Sequence, residues 1–191
     1  MSWKLKKSAS KTYQFGRIES EKRLDRAIEI IYRLKQSNII VHLFIMGDGI
    51  KKNSIVDLVR DYKLEEAVSF LGIVQNPEYY FKYFDCLLLT SDREGLPFVI
   101  WESMAEGLPI LSTSVGGITE ILTDVNCGMI FDKENIADAV EKAKLLIKDK
   151  SLRDKLGLNG KRAITDKYNV EHFKKFIDNL YSDLNSVKLT T

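Results

Sequence analysis

The sequence predicts an α/β domain, a parallel sheet of about six strands covered on both faces by helices, and three observations predict it. Short, nearly continuous apolar runs such as Val41–Met46 and Asp85–Thr90 read as strands buried on both faces. Segments with apolar residues at helical spacing separate them, as in the Leu24, Ala27, Ile28, Ile31, Leu34 stripe. Glycine-bearing loops close the runs, with Gly16 after Tyr13–Phe15 and Gly47-Asp48-Gly49 after Met46. A chain of 191 residues is long enough for one domain with a sizeable core.

In chain order, residues 1–12 are basic and polar with no strand pattern and read as an interdomain linker or an added tail. Tyr13–Phe15 forms the first strand, and Ser20 is placed as the N-cap of the helix that carries the Leu24 to Leu34 stripe. Val41–Met46 leads through its glycine loop into a helix over Ile55–Tyr62. Val68–Leu71 is a strand, followed by Ile73-Val74-Gln75-Asn76-Pro77 and a short aromatic helix through Tyr83. After the strand Asp85–Thr90, Gly95 permits a tight turn and Pro97 suits a first helical position, where no N–H is needed. That helix runs to Glu106, stopped by Gly107 and Pro109. Ile110–Thr113 and Met129–Phe131 are the last strands, and helices over Ile136–Lys148, Ser151–Lys167 and Val170–Leu184 close the chain. The organisation is thus an α/β domain over 13–168 and a C-terminal helix and tail over 169–191. The Phe173, Phe176, Ile177, Leu180, Tyr181 stripe of the last helix is expected to pack on this domain.

Two loops concentrate the chemistry. The helix that follows Pro97 presents unpaired N–H groups and roughly half a positive charge at the carboxyl end of a strand, which is an anion site. Glu94 lies in the loop before it and Glu102 inside it, so two carboxylates can address two parts of one ligand; each accepts paired hydrogen bonds from a diol. At the other end of the chain, Arg17 and Lys22 point from a second strand, loop and helix towards the same strand-end side. Lys22 opposes the dipole of its own helix, a placement that an anion would relieve. Two cations with helix N-termini suit a diphosphate. One cation about 4 Å from a phosphate is worth on the order of 4 kcal/mol at an effective dielectric near 20.

Together these residues resemble the nucleotide-binding half of a retaining glycosyltransferase of the large family 4, which has the GT-B fold. The resemblance rests on Gly16-Arg17 with Lys22, Met46-Gly47-Asp48-Gly49, Val68-Ser69-Phe70-Leu71-Gly72, the Glu94 and Glu102 pair, and Gly116-Gly117-Ile118-Thr119-Glu120. It covers about Tyr13 to Tyr181. It implies a Rossmann-like three-layer α/β/α domain, one half of a GT-B architecture, with the N-terminal acceptor domain absent; a fragment or a truncated gene would each account for that. It further implies a sugar nucleotide (UDP-, GDP- or ADP-sugar) as substrate and transfer with retention to a glycan or lipid-linked acceptor through the missing N-terminal domain. Arg17 and Lys22 would hold the diphosphate and stabilise the leaving group, and Glu94 would address the transferred sugar; these three are the expected catalytic residues. Donor binding is expected at Gly16, Gly47, Ile73, Val74, Gln75, Gly95, Leu96, Pro97, Phe98, Val99 and Glu102. Of these, Glu102 would take the ribose hydroxyls and Ile73 to Gln75 would line the base pocket. Because Pro97 lacks an N–H, one backbone contact seen in other members could be lost.

The composition bounds the remaining classes. With 29 basic and 27 acidic residues the formal charge is +2, which leaves no nucleic-acid footprint, although the full-length enzyme could attach to a membrane surface. Two cysteines without close spacing and two isolated histidines, His42 and His172, suggest neither a redox pair nor a metal cluster. No Asp-x-Asp occurs, which disfavours a metal-dependent transferase, and no cofactor is expected. With no stretch of about 18 apolar residues, the expected location is cytoplasmic, peripheral to the inner face of a membrane at most. Two other classes remain open: a non-catalytic nucleotide-binding or interaction domain, and a sugar-nucleotide epimerase fragment, which would require a cleft histidine that is not evident.

Overall fold

The computed structural model describes residues 10–172, 174–175 and 177–179. Six strands, β1 (Ser10–Phe15), β2 (Val41–Met46), β3 (Val68–Gly72), β4 (Cys86–Leu89), β5 (Ile110–Thr113) and β6 (Gly128–Phe131), form one parallel sheet in the order β3-β2-β1-β4-β5-β6. The helices are α1 (Leu24–Gln36), α2 (Lys52–Asp61), α3 (Glu78–Phe81), α4 (Phe98–Glu106), α5 (Gly116–Val125), α6 (Ile136–Lys148) and α7 (Lys150–Asp166). The expected Rossmann-like layering is present. One core joins the sheet to α1, α2 and α6 through Ile28, Ile31, Val59, Val140 and Leu146, and the other joins it to α3, α4 and α5 through Phe81, Ile100, Met104, Ile118 and Leu122. Continuous apolar strands are what such a two-sided sheet requires.

The chain winds outward from β1 to β3 on one side, then returns to start again at β4 on the other. The order therefore reverses between β1 and β4, and in open sheets of this kind ligands bind outside the carboxyl ends of the strands at such a switch point. The ladder at this seam is short, pairing Thr12 with Cys86 and Tyr13 with Leu87.

Several boundaries differ from the sequence reading. The polar segment 1–12 was expected to be a linker or tail throughout, yet Ser10, Lys11 and Thr12 belong to β1. They are tied to the neighbouring strand's start, where the Lys11 backbone N–H donates to Asp85 Oδ2 at 2.8 Å and the Thr12 side-chain Oγ1 to the Cys86 carbonyl at 3.0 Å. Ser20 does not cap α1: it opens a 3-10 turn, Ser20–Lys22, and α1 begins after Arg23, whose backbone is left-handed at φ 46°. Pro97 stands just outside α4 with extended ψ of 142°. Apart from Ile177, the stripe Phe173, Phe176, Leu180, Tyr181 lies outside the described residues.

Candidate functional site

The loop after β1 is held by the loop after β2. Gly47 (φ 138°) fits directly under Gly16, where a Cβ would come within 1.9 Å of the Gly16 carbonyl oxygen. Ile18 N–H donates to the Asp48 carbonyl at 2.9 Å and Lys51 N–H to the Ile18 carbonyl at 3.0 Å, so the Gly16–Glu19 backbone is fixed on both sides. The Gly47 amide is already given to the Gly72 carbonyl at 2.7 Å, so this glycine serves by letting the two loops touch.

Across the seam, the 3-10 turn meets the loop after β4. Lys22 Nζ donates to Glu94 Oε1 at 2.5 Å, and Ser91 Oγ donates to the same oxygen at 2.7 Å. Residues 72 positions apart in sequence thus form one partly buried ion pair, with side chains 24% and 11% exposed. Two further bonds reinforce it: the Thr90 hydroxyl Oγ1 donates to the Lys22 carbonyl at 3.0 Å and Asp92 N–H to the Glu21 carbonyl at 2.8 Å. Arg17 stands apart, 81% exposed, paired with Glu19 at 3.0 Å.

The far wall is α4. Its N-terminus has no side-chain cap, and Phe98 and Val99 supply its first amides, which have no partner within a helix. The Phe98 side chain is 82% exposed, Val99 is buried in the core, and Gly95 is open to solvent. Leu96 is half-buried against the core beneath the loop. α5 shapes the loop from below: Gly116, at φ 49°, lies so close to the Glu94 carbonyl that a Cβ would reach 1.9 Å, and Gly117 N–H donates to the Gly95 carbonyl at 3.1 Å. This is the physical content of the Gly116-Gly117 motif.

Glu102 lies on α4 with Oε2 buried and without a hydrogen-bond partner among the described residues. Burial, with the charge of Glu78 second, pushes its carboxyl above the ordinary glutamate value. Glu78 opens α3, the helix that follows the Ile73–Gln75 loop and edge strand β3. In that loop Ile73 is 82% exposed, Gln75 is exposed and Val74 is half-buried.

Several residues of the site escaped the sequence reading. Asp92 accepts from Arg26 Nη1 at 2.6 Å and from Arg23 Nη1 at 3.0 Å, and Arg26 Nη1 also reaches the Thr90 carbonyl at 3.2 Å. Burial raises the Asp92 carboxyl, but the bonds and charges of Arg23 and Arg26 outweigh it and hold the group below the ordinary aspartate value. Arg26 is only 5% exposed. A signal for it existed, since an arginine one turn before Ile30 on the apolar face of α1 needs a buried partner. Gln14, buried on β1, gives Nε2 to Thr90 Oγ1 at 3.3 Å and leaves Oε1 unpartnered among the described residues. Also among the described residues, no group of three or more His, Cys, Asp or Glu side chains could hold a metal ion, and no helix is long and apolar enough to cross a membrane.

Residues 2–163 match the family described as glycosyl transferases group 1. The chain belongs to that family. It is 28% identical over 142 residues to the N-acetyl-alpha-D-glucosaminyl L-malate synthase of Bacillus anthracis, covering 74% of this chain and 37% of the relative. Its fold is shared with S. aureus TarM, solved as a complex that includes UDP, at a TM-score of 0.80 and 24% identity over 92% of this chain and 36% of TarM. It also superposes on the C-terminal domain of the group 1 protein LpcC from Francisella tularensis, at a TM-score of 0.74 and 24% identity, covering 84% of this chain and 87% of that domain. The chain spans between a third and a half of the length of the first curated relatives it matches.

Proposed function

We propose that this chain is the C-terminal, nucleotide-sugar-binding domain of a retaining family 4 glycosyltransferase. The observation that carries this reading is the seam between β1 and β4, where Lys22, Glu94 and the uncapped N-terminus of α4 converge at the switch point of a parallel sheet. In this reading the diphosphate of a UDP-, GDP- or ADP-sugar lies against the Phe98 and Val99 amides and Lys22, with Arg17 swinging in from solvent. Negative charge that develops on the leaving diphosphate is met by these two cations and the helix terminus. No metal ion or cofactor is assigned to that task. Glu94 takes sugar hydroxyls. Glu102 accepts the ribose diol, which gives donors to a buried oxygen that has no partner among the described residues. Ile73 to Gln75 flank the base.

The acceptor, a glycan or a lipid-linked glycan, would be held by an N-terminal domain across the cleft, so transfer requires both halves. The enzyme would work in the cytoplasm, where it could attach to the inner face of a membrane. Calorimetric titration of the chain with UDP, GDP and ADP tests the donor site: one of them should bind, and silence from all three at millimolar concentration would refute it. Arg17→Ala should weaken the binding of that diphosphate while leaving the matching nucleoside unaffected.

A further inference from the structure

Both cations of the proposed diphosphate site already hold an anion. Arg17 is paired with Glu19, and Lys22 with Glu94, so the four charges cancel in the unliganded chain. The two pairs differ in kind. Arg17 is 81% exposed, so solvent screens its attraction to Glu19 and the pair separates at little cost. Lys22 and Glu94 are mostly withdrawn from water, joined at 2.5 Å, and the accepting oxygen is held in place by the Ser91 hydroxyl.

We infer that Glu94 is an internal stand-in for the diphosphate and that the Lys22–Glu94 pair makes the site select a sugar nucleotide over a bare nucleoside diphosphate. The inference rests on the donor-site reading and adds a specificity role to it. A phosphate that takes Lys22 must separate it from Glu94. The released carboxylate, 11% exposed, then retains the Ser91 hydroxyl and needs new donors, because a withdrawn charge without partners is costly. A nucleoside diphosphate brings acceptors only to this spot. A sugar nucleotide brings phosphate oxygens for Lys22 and, on the sugar attached through the outer phosphate, hydroxyl groups that donate to Glu94. Only the second ligand satisfies both halves of the broken pair. The same logic favours departure of the product, since once the sugar has left, Glu94 can reclaim Lys22.

The test is calorimetry on the 191-residue chain with UDP, GDP and ADP, with their glucose conjugates and with the parent nucleosides. Glu94→Gln abolishes the competing charge and should tighten binding of the preferred nucleoside diphosphate about tenfold, equivalent to about 1.4 kcal/mol. Its affinity for the nucleoside should not change, and the preference for the glucose conjugate over the diphosphate should shrink. Ser91→Ala acts in the opposite direction: it strips the released carboxylate of its remaining donor and should weaken diphosphate binding. It also carries the test if Glu94→Gln lowers the thermal unfolding midpoint enough to compromise folding. A Glu94→Gln chain that keeps the unfolding midpoint of the wild type yet binds the diphosphate no more tightly would overturn the inference and leave the donor site standing. A Ser91→Ala chain with unchanged diphosphate affinity would overturn it equally. Failure of the wild type to bind any diphosphate would remove the donor site, and this inference with it.

Discussion

Replacing Asp92 with alanine removes the carboxylate that accepts from Arg26 at 2.6 Å and from Arg23 at 3.0 Å. Arg26, 5% exposed, would keep the Thr90 carbonyl at 3.2 Å and the more distant Glu134 carboxylate at 3.7 Å. Stripping one partner from a buried ion pair costs about 3–5 kcal/mol. Asp92 is itself 31% exposed, and solvent screening brings the expected loss to about 2–3 kcal/mol. At about 2–4 °C per kcal/mol for a chain of this size, the unfolding midpoint should fall by roughly 4–12 °C, read by circular dichroism at pH 7. The double variant Arg26→Leu with Asp92→Ala leaves no stranded charge and should recover most of that loss. A fall of less than about 2 °C, or losses that simply add in the double variant, would refute the reasoning. The pH dependence has a definite sign. The folded Asp92 carboxyl titrates below its unfolded value near 3.9, so its contribution is fully present above that value and is lost as pH falls through the folded one. Stability curves of the wild type and Asp92→Ala should therefore converge as the pH drops below about 4.

Other sites make sharper contrasts. Gly116→Ala drives a Cβ into the Glu94 carbonyl and forces a left-handed alanine, which should cost about 2–5 kcal/mol, whereas Gly95→Ala meets open space and should leave the unfolding midpoint nearly unchanged. If Glu102 accepts the ribose diol, nucleoside affinity measured by calorimetry should fall as the pH drops through a value above about 4.3, and Glu102→Gln should abolish that dependence; a flat wild-type profile would exclude the role. Burial pushes the Cys86 thiol up to about 12 and the Cys127 thiol up to about 11, so neither should react with a thiol reagent in the native chain, and both should react once it is denatured.

The parts of this fold that could be read from sequence are those written in local pattern. β2 and α6 coincide with their expected spans, and the strand, turn and helix around Glu94 lie where the apolar run, Gly95 and Gly107 place them. What stayed hidden depends on distant partners. Ser10 to Thr12 look like a tail until Asp85 and Cys86 stand opposite them. Ser20 has the chemistry of a cap, but the left-handed Arg23 displaces the start of α1, and its guanidinium is held by Asp25 and Asp92. The role of Asp92 was not legible locally, because its arginine partners lie 66 and 69 residues away. Lys22 was expected in the first turn of the helix that carries the Leu24 to Leu34 stripe, opposing its dipole, but it closes the 3-10 turn before α1, and its resident anion, Glu94, lies 72 residues away.

The two-rung ladder between β1 and β4 has a mechanical consequence. Elsewhere the sheet resists being pulled apart through longer runs of main-chain bonds, with six register pairs between β1 and β2. At the seam the main-chain bonds from Asp85 N–H to the Lys11 carbonyl and from Asp92 N–H to the Glu21 carbonyl are joined by side chains, Lys22 on Glu94, Thr90 on the Lys22 carbonyl, and Arg26 on Asp92. Any molecule that grips both loops would act as a rivet across the line where the ligand is proposed to sit.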